Sequence, residues 1–515
     1  MHKPIGMARV ARALGIGILV CSLTLGIGSL AAAEEAPTDA ASQPAATPAA
    51  TPTATPTATP AESTPSAGGK TAETEASVPA LSAPQASSTA VNGGYGSVYP
   101  VATEATFARP VRSISSKANS DFTLLDDMER LIRGTWRDQN TGNTLSAAIR
   151  KNNYVFISVS RMENSYRVGR ALVEAAGKGV KVRFIHGKAS QSKESRALQK
   201  KLNAKKYGAS AFKICAKGKS LACLATGNGA IMHSKILLIN NSYTRSGAKA
   251  KGIVWTGSAN LGGPSGERTY NNALTVYNER TFFNQMGKLW NDMWAERNIG
   301  NDYLAWVKRH ASSYYGAKYG MFYSAKAKTT LYETPIKATP TNGKDPVVAA
   351  LNRVIPGEDC RIRVMHNRFK YRRLYVAHQL QELASKGCEV SAIAFRDDLK
   401  VNRAAHCQLY IRICQPILDE FRKASDRIEV AWAKPHDKTM LIEAHMRKNK
   451  LNPAETTPDG AYVKFVQAGS AALTGSNLVV SDEVTTETTD EQIYEDYLQH
   501  WKAIWKSHEF RGYKY

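Results

Sequence analysis

The second half of this chain repeats the first, and that duplication constrains the fold more than any other feature. Residues 154–187 (YVFISVSRMENSYRVGRALVEAAGKGVKVRFIHG) read as strand, helix, strand. A β-branched run comes first. A helix over Ser165–Gly177 follows, with Val168, Leu172 and Val173 on one face. Gly177 and Gly179 end it, and Val180–Ile185 form the next strand. Residues 360–395 have the same layout, with Leu374, Ala377, Leu380 and Leu383 on the helix, a stop near Gly387 and a strand over Val390–Phe395. The echo continues: 225–240 matches 429–443, 253–263 matches 467–480, and aromatic helices over 282–297 and 494–507 close the two halves. Strands alternating with helices imply α/β architecture with mixed sheets and helical cover. The expectation is two tandem α/β sandwich units related by a pseudo-two-fold axis.

The repeat occupies only part of the 515 residues. Lys3, Arg9 and Arg12, the uncharged apolar run Leu14–Leu30 and Ala31–Ala33 have the pattern of a secretory signal peptide over 1–33. Residues 34–92 are rich in Ala, Thr, Pro and Ser, too poor in apolar bulk to fold, and read as a disordered tether. The remainder divides into a first unit (93–310), a connector (311–350) and a second unit (351–515). The only long apolar run is at the N-terminus, which excludes a polytopic membrane protein and a transmembrane helix in the mature form. The expected protein is secreted, monomeric, and held near a cell wall by its tether. The formal charge of +24 argues for an anionic partner. Residues 34–92 carry six acids against one Lys, so the basic surplus belongs to the folded part. Outside the leader, six cysteines remain: Cys215, Cys223, Cys360, Cys388, Cys407 and Cys414. An oxidising compartment suggests disulfides. Sequence leaves the connectivity open, although proximity along the chain favours 215–223, 360–388 and 407–414. None has the C-x-x-C spacing of a zinc site.

Each repeat carries H-x-K on an apolar strand, His233-Ser234-Lys235 and His436-Asp437-Lys438. Residues two apart on a strand share a face, so each imidazole stands beside an ammonium. Each repeat then has a Gly-Ser-Asn signature, Gly257-Ser258-Ala259-Asn260 and Gly475-Ser476-Asn477. A phosphodiester is an anion, and attack places further charge on its oxygens. Two Lys and two Asn supply fixed donors for that charge without a metal or cofactor. One imidazole can attack phosphorus, while the other protonates the leaving alkoxide and then activates water or an alcohol.

Over roughly residues 120–510 the chain resembles the phospholipase D superfamily, whose pattern is H-x-K-x4-D followed by G-S-x-N, twice per active site. It resembles in particular the secreted actinobacterial phospholipases D. The resemblance implies His233 as nucleophile and His436 as general acid/base. Lys235, Lys438, Asn260 and Asn477 would hold the phosphate, with Ser258 and Ser476 in support. The family's Asp is Asn240 in one copy and Glu443 in the other, and strand parity turns both away from the catalytic pair, toward an orienting role. An acidic residue after G-S-x-N orients the family's His. Asp482-Glu483 fits in the second copy, but Asn271-Asn272 stands in the first, so His233 is expected to lack a carboxylate partner.

The basic loops Arg245–Lys251 and Met446–Lys450 are candidates for flanking the cleft. Trp290, Trp294, Trp501 and Trp505 recur at helical spacing and read as core. His186, His366, His378, His406 and His445 match no motif. The expected activity is hydrolysis or transphosphatidylation of phospholipids, with transient contact with a membrane surface. A nuclease with the same machinery is the alternative, and a non-catalytic binder of polyanions is a third reading.

Overall fold

The computed structural model describes residues 95–110, 120–187, 191–215, 220–298, 321–324, 328–333, 345–395, 413–449 and 457–506. The leader, the tether, Cys407 and most of the 311–350 connector lie outside them.

Two mixed sheets carry the repeat. Across the first, the strands run Ala102–Ala108, Asn271–Tyr277, Lys249–Gly257, Ile236–Tyr243, Tyr154–Val159, Lys181–His186 and Ala211–Ile214. Across the second they run Met321–Ser324, Thr329–Glu333, Val484–Thr488, Ala461–Gly469, Lys438–Met446, Arg361–His366, Glu389–Phe395 and Ile428–Ala433. From Asn271–Tyr277 and Val484–Thr488 onward the two orders correspond strand for strand. The strand–helix–strand units pair in parallel, as crossover connections require, and the H-x-K strands join them antiparallel.

Alternation along each strand sorts side chains between two layers. In Tyr154–Val159, Val155, Ile157 and Val159 join the helices Thr123–Arg133 and Arg167–Gly177, and Phe156 faces the other way. In Arg361–His366, Ile362 and Val364 meet the helices Leu374–Ser385 and Gln415–Arg422, and Met365 faces the other way. Phe156, Leu238 and Val254 of the first sheet share one apolar cluster with Leu441 and Val466 of the second, so the inner faces form a common core. The helices Arg280–Trp294 and Glu491–Lys506 complete it. Trp290 stacks on Phe156 at 4.7 Å and on Trp294 at 5.2 Å, and Trp501 stacks on Trp505 at 4.6 Å, so the recurring tryptophans are core. Each fully buried large apolar side chain contributes about 1.5–3 kcal/mol relative to exposure.

Cys215–Cys223 and Cys360–Cys388 are disulfides, and Cys414 is also disulfide-bonded. Among the described residues no helix is long and apolar enough to cross a membrane. The basic loops depart from expectation. Arg245–Lys251 and Met446–Asn449 lie at the far ends of the strands that begin at Ile236 and Lys438, and Lys450 lies outside the described residues. Nine residues in the first copy and seven in the second, at about 3.3 Å each, separate them from the H-x-K motifs, so they do not flank the site.

Candidate active site

The two H-x-K motifs are held by bridges between the repeats. Strand segment Ile231–Met232 runs parallel to Ser481–Asp482, and the backbone N–H groups of His233 and Ser234 donate to Asp482 O at 3.0 and 2.7 Å. In the second copy Tyr270 bridges Pro435, and His436 N donates to Tyr270 O at 2.8 Å. Each histidine is thus fixed by the strand that follows the Gly-Ser motif of the other repeat.

The side chains follow the same crossing. His233 Nδ1 contacts Glu483 Oε1 at 2.9 Å and Oε2 at 3.1 Å. His436 Nδ1 contacts Asn271 Oδ1 at 2.9 Å. The expectation that His233 lacks a carboxylate partner is therefore incorrect. It assumed that each repeat orients its own histidine, whereas the strand topology delivers Glu483 to His233 and leaves the neutral Asn271 for His436.

The surroundings fix the tautomers. Asn271 Nδ2 donates to the carbonyls of Ser265 and Thr269 at 3.1 and 2.9 Å, so its Oδ1 is the acceptor and His436 Nδ1 carries a proton. Ser258 Oγ donates to the same Oδ1 at 3.0 Å. Glu483, 1% exposed, accepts from Asn477 Nδ2 and Ser470 Oγ as well as from the imidazole. Each Nδ1 is engaged in orienting its ring, so the chemistry falls to the Nε2 atoms. Lys235 and Lys438 are each 1% exposed, and each donates to the carbonyl of its own motif's histidine at 2.6 Å. Two nearly buried ammoniums beside two imidazoles make a cationic site suited to a phosphate. Asn260 Oδ1 is buried without a hydrogen-bond partner among the described residues.

The second Gly-Ser motif also needs correction. Gly475-Ser476-Asn477 does not end a strand. It opens the short helix Gly475–Val479, capped by Thr474, whose Oγ1 accepts from Asn477 N at 3.1 Å. Ser476 meets Thr474 rather than the histidine network. The counterpart of Gly257-Ser258 is Gly469-Ser470. Ser258 N donates to Asn272 O and Ser470 N to Val484 O, each at 2.9 Å. A Cβ on Gly257 would lie 2.3 Å from Asn272 O, and one on Gly469 would lie 2.2 Å from Val484 O, so neither position admits a side chain. Reading on from Gly469, the place of Asn260 falls to Ala472. Asn477 still reaches the site, but through Glu483. One signal was available: Ser258 and Asn271 are 13 residues apart, and so are Ser470 and Glu483.

Asn240 and Glu443 lie away from the motifs. Asn240 accepts from Tyr154 N at 2.8 Å and donates to Asn152 O at 2.9 Å. Glu443 pairs with Arg363 at 3.1 Å. Asp437, fully buried between His436 and Lys438, accepts from Asn272 Nδ2 and lies 3.4 Å from His500 Nε2. Among the described residues no three His, Cys, Asp or Glu side chains gather to hold a metal ion.

Asp482 accepts from the backbone N–H groups of Cys223 at 2.6 Å, Leu224 at 3.2 Å and Ala225 at 3.0 Å, tying the disulfide loop to the His233 bridge. Burial raises its pKa from 3.8 to about 7, against the opposing pull of these three donors. A folded-state pKa above the unfolded one gives a stabilising contribution that is complete below the unfolded value and is lost as pH rises through about 7. Melting temperatures of wild type and Asp482→Asn, compared from about pH 4 to pH 8, should therefore shift progressively in the variant's favour. A difference that stays constant across this range would contradict the assignment.

A family model described as "Cardiolipin synthase, PLD-like domain" matches residues 145–294. No curated protein matches the chain. Among solved structures, the phosphatidylserine synthase of Haemophilus influenzae Rd KW20 is similar at 10% identity and TM-score 0.44, over 80% of this chain and 91% of that one. The phospholipase D family member Nuc of Salmonella typhimurium is similar at 14% identity and TM-score 0.24, over 38% and 95%. The polyphosphate kinase of Porphyromonas gingivalis is similar at 12% identity and TM-score 0.38, over 68% of this chain, which spans 42% of the kinase. Residues 145–294, which hold the first H-x-K motif, thus match a PLD-like family model, and the second sheet repeats their strand order and brings an H-x-K of its own.

Proposed function

We propose that the protein is a secreted phosphodiesterase of phospholipase D type, which hydrolyses phospholipids or transfers their phosphatidyl group to an alcohol through a phosphohistidine. The crossed pairing of His233 with Glu483 and of His436 with Asn271 carries this reading. Glu483 accepts the Nδ1 proton of His233 and stabilises the cation that develops on attack, so His233 Nε2 presents a lone pair to phosphorus. A nitrogen–phosphorus bond forms as the bond from phosphorus to the leaving oxygen breaks. His436 Nε2 gives that oxygen its proton. The amide of Asn271 orients His436 without a countercharge, which suits a group that must release a proton. His436 then takes a proton from water or an alcohol, whose oxygen attacks phosphorus and frees His233. Lys235, Lys438 and Asn260 stabilise charge on the non-bridging oxygens. The sequence of the N-terminal 33 residues supports export, and the Pro-rich stretch after it supports a tether at the cell surface.

A nuclease is the second reading, favoured by the net charge of +24. Purified protein should release head group from phosphatidylcholine vesicles and leave plasmid DNA intact, with EDTA present in both assays. Cleavage of the plasmid alone would select the nuclease. Loss of activity in EDTA, restored by one divalent ion, would reject the metal-free mechanism.

A further inference from the structure

The half-sites differ at one place where the repeats otherwise agree. Asn260 follows Gly257-Ser258 in the first, and Ala472 occupies the corresponding place in the second. The exchange has a counterpart on the neighbouring strand. His366 lies opposite Lys438 in the antiparallel register, so the two side chains share a face. The same position in the first sheet is Val159, the last residue of its strand, just as His366 ends Arg361–His366. One half-site therefore combines valine with asparagine, and the other combines histidine with alanine.

His366 is 8% exposed, and its Nδ1 is buried without a hydrogen-bond partner among the described residues. A polar atom left so is costly unless something completes it. His366, Lys438, Ala472 and Arg373 line one cavity of ≈ 20 Å³, large enough for a water or a single ligand oxygen. Arg373 is tied to Asp345 at 2.8 Å through Nη2, and its Nε, like His366 Nδ1, is buried without a hydrogen-bond partner among the described residues. Burial, reinforced by Arg373 and Lys438, holds the His366 pKa well below the ordinary histidine range, so the ring is neutral, as an asparagine amide is.

We infer that His366 is a phosphate-contacting residue, the neutral hydrogen-bonding group that the second half-site presents beside Lys438 in place of the asparagine missing at Ala472. This rests on the phosphodiester reading above and adds to it a ligand-binding residue outside the H-x-K and Gly-Ser motifs.

The test compares wild type, His366→Val, and His366→Val combined with Ala472→Asn, which rebuilds the valine–asparagine pair of the first half-site. Each is assayed with a nitrophenyl phosphodiester, titrated with inorganic phosphate by calorimetry, and melted. His366→Val should lose about 10–100-fold in kcat/KM and weaken phosphate binding, and the double variant should recover most of both. Wild-type kcat/KM in a folded His366→Val protein would overturn the inference, as would a double variant no better than the single one. If His366→Val does not fold, the folded double variant decides, with near-wild-type phosphate binding expected and its loss contradictory. If wild type turns over no diester, the phosphodiesterase reading fails while phosphate binding still judges His366. A wild-type protein that also binds no phosphate overturns both.

Discussion

Replacing either catalytic histidine by alanine is expected to abolish turnover of phospholipid, by about 10⁴-fold or more, yet the two variants should fail differently. His233→Ala lacks the proposed nucleophile, and no substrate should rescue it. His436→Ala retains His233 and Glu483, so it should still attack a diester whose leaving group departs without a proton. With a nitrophenyl phosphodiester it should release one equivalent of nitrophenol in a burst and then stall, because no base activates water. Rapid-mixing absorbance reads this directly. Equal residual activity in both variants on both substrate types would contradict the division of roles.

Glu483→Gln should have the next largest effect. The carboxylate receives His233 Nδ1 at 2.9 Å while nearly excluded from water, where a charge partner is only weakly screened. A glutamine oxygen can still accept the Nδ1 proton, so orientation survives, but the cation formed on attack loses its countercharge. The expected loss is about 10²–10³-fold in kcat/KM. A second substrate separates this from a defect in proton delivery. The loss should persist with a nitrophenyl phosphodiester, because attack by His233 does not depend on protonation of the leaving group. Wild-type kcat/KM for that diester would mean that Glu483 serves only as structure.

The strands and helices of each repeat and the recurrence of the H-x-K motif are legible because both are local. Alternation and helical periodicity mark the strands and helices of each repeat, and a motif that recurs on the same kind of strand is visible without coordinates. The crossed partners were not. Glu483 is 250 residues from His233, and only the bridges Ile231–Met232 with Ser481–Asp482 and Tyr270 with Pro435 show that each repeat completes the other. The second Gly-Ser motif was misassigned for a related reason. Two Gly-Ser pairs lie six residues apart at 469 and 475, and the one followed by Asn477 matches the motif better as text. Backbone geometry selects the other, because Gly469 lies against Val484 O where no side chain fits. His366 carried no motif at all. Its relevance comes from lying opposite Lys438 across a sheet, a relation that neither period nor spacing encodes.

The most direct test of the account is to locate the covalent intermediate. His436→Ala protein is soaked with a nitrophenyl phosphodiester and digested at alkaline pH, where a phosphorylated imidazole survives, and its peptides are analysed by mass spectrometry. A crossed site with His233 armed by Glu483 predicts one adduct, on the peptide containing His233, and none when Glu483→Gln slows attack beyond the soaking time. An adduct on His436 in the His233→Ala protein, with none on His233 in the His436→Ala protein, would contradict the assignment of nucleophile and acid on which the account rests.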